Sequence, residues 1–218
     1  MPLTLVIGNK NYSSWSLRPW LVMKHGGIDF DEVRIPLYGS DFKQRIAAYS
    51  PASKVPILVD REVLVWESIA ILEYLAEKFP DKQLWPADAA ERAHARAVSA
   101  EMHAGFSQLR THMMVNLRKS LPGMGRTPEV EAEIARIVVL WSESLERYGG
   151  PFLFGRFSIA DAMYAPVATR FTTYAVALPE RCQQYVATIL ELPAMQEWYA
   201  AARRETEVLP QFEYTVAP

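Results

Sequence analysis

Asn11-Tyr12-Ser13-Ser14-Trp15-Ser16-Leu17-Arg18 lies between a short apolar run, Leu3 to Gly8, and an apolar stretch from Leu17 to His25. Leu3-Thr4-Leu5-Val6-Ile7 has the length of a buried strand, and Leu17, Leu21, Val22 and His25 approximate one helical face. Three serines therefore crowd the junction of a strand and a helix. Backbone N–H groups at a helix start have no partner within the helix, and the helix dipole is positive there, so an anion is favoured. The residues alone leave two readings open. Ser14 or Ser16 is a plain N-cap, the commonest role of serine at this position, or a serine hydroxyl donates to a bound anion.

Working outward, Pro19 falls in the first helical turn, where its missing N–H costs nothing, and Gly26-Gly27 ends the helix. Asp31 to Leu37 reads as a second strand, which makes a βαβ unit with parallel strands and a right-handed crossover. Asp41 to Tyr49 reads as a short helix and Ser50-Pro51-Ala52-Ser53 as a loop. Val55 to Asp60 and Val63 to Trp66 are separated only by Arg61-Glu62, the spacing of an antiparallel hairpin. Glu67-Ser68 opens a helix that ends at Pro80. The predicted domains are 1–80, a small α/β unit; 81–88, a linker containing Pro86; and 89–218, all helical.

In the helical part, Asp88 to Lys119 reads as one long helix, followed by a Pro/Gly break from Leu121 to Pro128. Glu129 to Tyr148 keeps a 3.6-residue apolar spacing. Ser158-Ile159-Ala160-Asp161 has the capping-box pattern, and two shorter helices follow at Glu180 to Leu190 and Ala194 to Arg204. His94, His103 and His112 recur at intervals of nine on the long helix, so neighbours face opposite ways and the outer pair is about 27 Å apart. They form no metal site or catalytic triad on that reading, and no metal is expected.

Composition narrows the class. The 218 residues are 50% apolar and 22% charged with net charge −2, and the Lys and Arg residues are dispersed, which argues against a nucleic-acid or polybasic membrane surface. No apolar run reaches a membrane span, and the N-terminus lacks a secretory signal, so a cytoplasmic protein is expected. Cys182 is the single cysteine, which excludes an internal disulfide and a Cys-x-x-Cys pair.

This order of elements resembles the soluble glutathione S-transferase family across essentially the whole chain. Four motifs carry the resemblance: Ser13-Ser14-Trp15-Ser16-Leu17-Arg18, Val55-Pro56-Ile57-Leu58, Glu67-Ser68-Ile69-Ala70 and Ser158-Ile159-Ala160-Asp161. It implies a thioredoxin-like N-terminal domain, an all-helical C-terminal domain, glutathione as co-substrate and a homodimer. It implies too that Pro56 is cis, that Val55 pairs with glutathione's cysteinyl backbone, and that Glu67 and Ser68 hold the γ-glutamyl end, with Ser68 also capping its helix. Lys54, just ahead of Val55, is either a partner for the glycine carboxylate or a solvated cation. Within the family the serine turn is most similar to the zeta class, whose Ser-Ser-Cys matches Ser13, Ser14 and, with Trp in place of Cys, Trp15. Arg170 is the candidate for the arginine that class uses to hold an acidic substrate. Tyr12, Trp15, Met102, Phe106, Met113 and Met114 are candidates for the electrophile wall, with core packing of the helical bundle the other reading of Met102, Phe106, Met113 and Met114.

A thiol with a pKa near ~8.5 is only a few per cent thiolate at neutral pH, and lowering that value by ~2 units needs about 2.7 kcal/mol in favour of the anion. A helix terminus supplies ~0.3–1 kcal/mol and a hydrogen bond to a charged group ~1.5–3, so the two together are about enough. Ser13 is thus expected to donate to the thiolate, with Ser14 and Ser16 as the other catalytic candidates. The expected function is glutathione transfer to a small electrophile. The alternatives are a zeta-type isomerase of a small unsaturated diacid and a non-catalytic glutathione-binding protein of the same fold. Disulfide reduction is disfavoured, since no cysteine precedes Cys182.

Overall fold

Leu5, Val6 and Ile7 are completely buried, which places strand β1 (Leu3–Ile7) in the middle of a sheet with neighbours on both edges. The computed structural model describes residues 2–49 and 52–214. On one edge β1 pairs in parallel with β2 (Phe30–Arg34), Leu3 opposite Phe30 and Ile7 opposite Arg34. On the other it pairs antiparallel with β3 (Ile57–Asp60), which turns through Arg61 into antiparallel β4 (Val63–Trp66). The sheet order is β2-β1-β3-β4. β2 ends at Arg34, short of the expected Leu37, because Pro36 has no N–H to continue the ladder, although the N–H of Ile35 still donates to Ile7 at 2.9 Å. β3 begins after Pro56 for the same reason.

Helix α1 (Ser14–His25) links β1 to β2, α2 (Phe42–Ala47) follows, and α3 (Ser68–Lys78) leaves the hairpin. The sheet faces are unequal. Leu3, Leu5, Ile7 and Leu58 join α1 and α3 in the main core, whereas Val6, Ile35, Ile46 and Ile57 form a small separate cluster under α2. Ser50 and Pro51, part of the expected loop, lie outside the described residues.

The expected long helix is two helices. α4 (Ala89–Ala104) and α5 (Ser107–His112) meet at a corner where Gly105 is extended and Phe106 is left-handed, φ 56°. A Cβ at Gly105 would lie 2.8 Å from the carbonyl oxygen of Glu101, so glycine permits the corner and the ~27 Å straight-helix separation of His94 and His112 does not apply. Past a loop come α6 (Pro128–Tyr148), α7 (Ile159–Thr173), α8 (Glu180–Glu191) and α9 (Pro193–Arg204). Almost every residue of α7 is buried, and it packs on α1, α4 and α8. Trp141 of α6 sets its ring against Tyr164, Phe171 and Tyr185, with centroids 4.8–5.8 Å apart.

The capping box ties α7 down. Asp161 accepts the N–H and hydroxyl of Ser158 at 2.8 and 3.1 Å, the N–H of Leu153 at 3.0 Å and the Tyr185 hydroxyl at 3.2 Å. Burial nevertheless pushes its carboxyl up to about 6. After α9, residues 205–214 double back toward the first domain through a 3-10 turn at Pro210–Phe212. Among the described residues no helix is long and apolar enough to cross a membrane.

Candidate active site

Ser13 itself is the N-cap of α1, not Ser14 or Ser16. Its Oγ receives the N–H of Ser16 at 3.4 Å and sits 2.7 Å from Ser16 Oγ. Ser16 is fully buried and accepts the N–H of Gly8 at 3.1 Å, so it stands behind the site and does not face it. Ser13 and Ser14 both line a cleft of about 460 Å³, and the Ser14 side chain makes no hydrogen bond among the described residues.

Tyr12, Trp15 and Arg170 also line this cleft. Met102 and Phe106 do not: Met102 is completely buried in the helical core and Phe106 is 7% exposed at the α4–α5 corner. Met113 is likewise core, while Met114 reaches the cleft. The helix phase assumed for one straight helix put these side chains on the wrong side. In their place the cleft takes Leu37, Tyr38, Arg110 and Phe212. None of these carried a local signal. Arg110 lay in the supposed continuous helix, and Phe212 in a tail without periodicity.

Three arginines lie close together here without a carboxylate partner among the described residues, Arg110 and Arg170 on the cleft wall and Arg18 buried against Trp15. Arg170 spends Nε on Met113 O at 2.7 Å and Nη1 on Pro166 O at 3.2 Å. Arg18 spends Nε on Met163 O at 3.2 Å and lies 4.2 Å over the Trp15 ring. Arg110 donates to Met102 O at 3.2 Å and approaches the same ring at 5.5 Å. Burial, then the charges of Arg170 and Arg110, lowers Arg18 to about 9; burial, then Arg110, lowers Arg170 to about 10. Burial lowers Arg110 as well. Cations held this way stabilise an anion placed among them.

Lys54, Val55, Pro56, Glu67 and Ser68 line an adjoining recess of about 230 Å³, with Trp15 on the wall it shares with the cleft. The Val55–Pro56 bond is cis. Ser68 is the first residue of α3 and not its cap; Glu67 holds the cap position with φ 67°. A left-handed backbone on a residue with a Cβ is strained, a condition that collects at ligand sites. Ser68 Oγ is 3.5 Å from Arg18 Nη1. His103, whose pKa is lowered by burial and then by Arg18, meets Trp15 edge-on at 5.3 Å and stands 3.8 Å from Glu67. Among the described residues no group of three His, Cys, Asp or Glu side chains is arranged to hold a metal.

A four-stranded thioredoxin-like sheet, a helical domain behind it, and a serine-capped helix opening on a cationic cleft make up the fold and its candidate site. The model of the glutathione S-transferase N-terminal domain matches residues 12–78, and that of the C-terminal domain matches 88–201. A probable maleylacetoacetate isomerase of Caenorhabditis elegans is 31% identical over 163 residues, 72% of this chain and 75% of that protein. A zeta-class glutathione S-transferase of Euphorbia esula is 27% identical over 154 residues, 70% of this chain and 66% of that one. In fold, a glutathione transferase homologue from Burkholderia with bound glutathione superposes with a TM-score of 0.71 at 24% identity, over 93% of this chain and 99% of that one. This chain belongs to the glutathione S-transferase family.

Proposed function

We propose that Ser13 stabilises glutathione as its thiolate for attack on a small anionic electrophile in the arginine-lined cleft. The observation that carries this is the Ser13 hydroxyl at the N-terminus of α1 and on the cleft wall, where its oxygen receives the N–H of Ser16 and its proton goes to Ser16 Oγ. Hydroxyl protons rotate. Ser16 Oγ also accepts the Gly8 N–H, so when glutathione binds the Ser13 proton turns from Ser16 to the sulfur while the Ser16 N–H stays on Ser13 Oγ. The helix dipole adds its share at the same point. Ser16 then serves by holding Ser13 in place, and Ser14 offers a second hydroxyl at the cleft surface.

Lys54 and the N-terminus of α3 are suited to glutathione's two carboxylates, and Val55, Pro56, Glu67 and Ser68 to its backbone and γ-glutamyl end. Arg170 and Arg110 favour a carboxylate on the electrophile, with Tyr12, Trp15 and Met114 as its apolar surround. The same arginines favour the second reading, glutathione-dependent isomerisation of an unsaturated diacid, in which the thiolate adds, the bond rotates and the thiolate leaves. Trp15 in place of the zeta cysteine favours transfer over that route. A homodimer is supported by Val63, Leu64 and Trp66, which stay exposed on edge strand β4. Dependence on a reduced thiol supports a cytoplasmic setting.

The test is to offer a small unsaturated acid and its methyl ester with glutathione and follow products by nuclear magnetic resonance. The acid is expected to react faster, with glutathione consumed one for one. Equal rates for acid and ester would overturn the anionic electrophile, and isomer formation without glutathione loss would establish the second reading.

A further inference from the structure

The serine turn is held from a distant part of the chain. Glu205, directly after α9, has a side chain only 7% exposed, and its two oxygens receive the backbone N–H groups of Lys10 at 2.7 Å and Asn11 at 3.0 Å. The same carboxylate also meets Arg34 Nη1 at 3.4 Å, and the Lys10 side chain pairs with Glu32 at 2.8 Å. The other anchors of the turn's backbone are neutral groups. Asn9 Oδ1 accepts the N–H of Leu37 at 2.7 Å, Lys10 O accepts the Trp198 indole at 2.9 Å, and the Asn11 amide exchanges bonds with Asn116 and the N–H of Arg118. From this frame Asn9 O accepts the N–H groups of Tyr12 and Ser13 at 3.2 and 2.8 Å, which delivers Ser13 to the start of α1. Charge-assisted hydrogen bonds are the strong ones, so a carboxylate bridging two successive amides is the strongest hold on the turn's backbone. Lys10 and Asn11 are both buried, so water cannot readily replace it.

We propose that Glu205 is a positioning residue for the thiolate donor: the end of the helical domain fixes where Ser13 points. This rests on the reading that Ser13 stabilises the thiolate. The sign of its effect separates positioning from a field effect. A carboxylate near the site disfavours a thiolate through its field, so its removal would lower the thiolate pKa. Loss of positioning weakens the Ser13 bond and raises it.

The experiment is the ultraviolet titration of bound glutathione thiolate in the full chain, wild type against Glu205→Gln, Glu205→Ala and Glu207→Gln, together with kcat and KM for glutathione and a melting curve. Glu205→Ala is expected to raise the thiolate pKa by about one unit, about a tenfold loss of thiolate below the pKa, seen in kcat more than KM. Glu205→Gln keeps one acceptor oxygen for two donors and falls between; should the alanine variant not fold, the glutamine variant decides. Glu207, on the same segment, pairs its carboxylate with Arg34 at 2.7 Å, and Glu207→Gln is expected to titrate like wild type. Folded Glu205 variants whose thiolate pKa is unchanged or lowered overturn the positioning role alone. Absence of thiolate in the wild type overturns it together with the Ser13 reading.

Discussion

Arg170 is buried, donates to the backbone carbonyls of Met113 and Pro166, faces no carboxylate among the described residues and lines the cleft. Replacing it with Leu removes a charge-assisted contact of about 1.5–3 kcal/mol, so kcat/KM for an acidic electrophile should fall roughly 10- to 150-fold while that for its ester stays nearly level. Equal losses for acid and ester would mean that Arg170 shapes the cleft without binding the anion. At this scale the sequence was legible for a residue's place more than for its role: the three serines do fall at a strand-to-helix junction, and Val55 and Pro56 border the recess as the family resemblance implied. It was not legible where the role depends on packing. Ser16 looks like Ser14 in sequence, yet one is sealed under Gly8 and the other faces the cleft. Arg110 acquires its place only because the chain turns at Gly105.

Two elements position the cleft, and each depends on one residue. The α4–α5 corner needs Gly105, since a methyl group there meets the Glu101 carbonyl at 2.8 Å. Gly105→Ala should lower unfolding free energy by about 1–3 kcal/mol and displace Arg110, measured by urea denaturation and by the acid-over-ester preference. An unaltered midpoint would show that the corner absorbs the methyl. At the start of α7, Asp161→Ala leaves the buried N–H groups of Leu153 and Ser158 without acceptors. A loss of about 3 kcal/mol is expected in the same measurement. The two elements differ in legibility. The Ser158-to-Asp161 box is a local pattern and was read directly, whereas a single glycine inside a helix-like stretch is often tolerated and marked no boundary at residue 105.

For the molecule as a whole, acid sensitivity follows from the histidines. Burial lowers the pKa values of His25, His94 and His103 below the ordinary 6.5. The unfolded chain therefore binds protons before the folded one, so their stability is present above about 6.5 and lost as pH falls through the lower folded values. Asp161 acts in the opposite sense. Its carboxyl is raised to about 6, so its contribution is full below the ordinary 3.8 and is lost as pH rises through about 6. The histidines begin to titrate first on acidification, and melting temperature should decline from about pH 7 toward about pH 5.5, with a shallower decline in His94→Gln and His103→Gln. A flat profile in the wild type would contradict this. The two-domain plan was legible throughout, because alternating and 3.6-residue patterns, prolines and caps are local. The return of residues 205–214 to the serine turn was not, because Glu205 and Phe212 act through partners nearly two hundred residues away in the chain.

The most direct test of the account is the ultraviolet thiolate titration of bound glutathione in wild type, Ser13→Ala, Ser14→Ala and Ser16→Ala. Ser13→Ala is expected to raise the thiolate pKa by roughly one to two units, the equivalent of one lost hydrogen bond to a charged sulfur. Ser16→Ala should raise it by less and Ser14→Ala least. A wild type that binds glutathione only as the thiol, or a Ser13→Ala variant that titrates like wild type, would contradict the claim that the Ser13 hydroxyl activates the thiol.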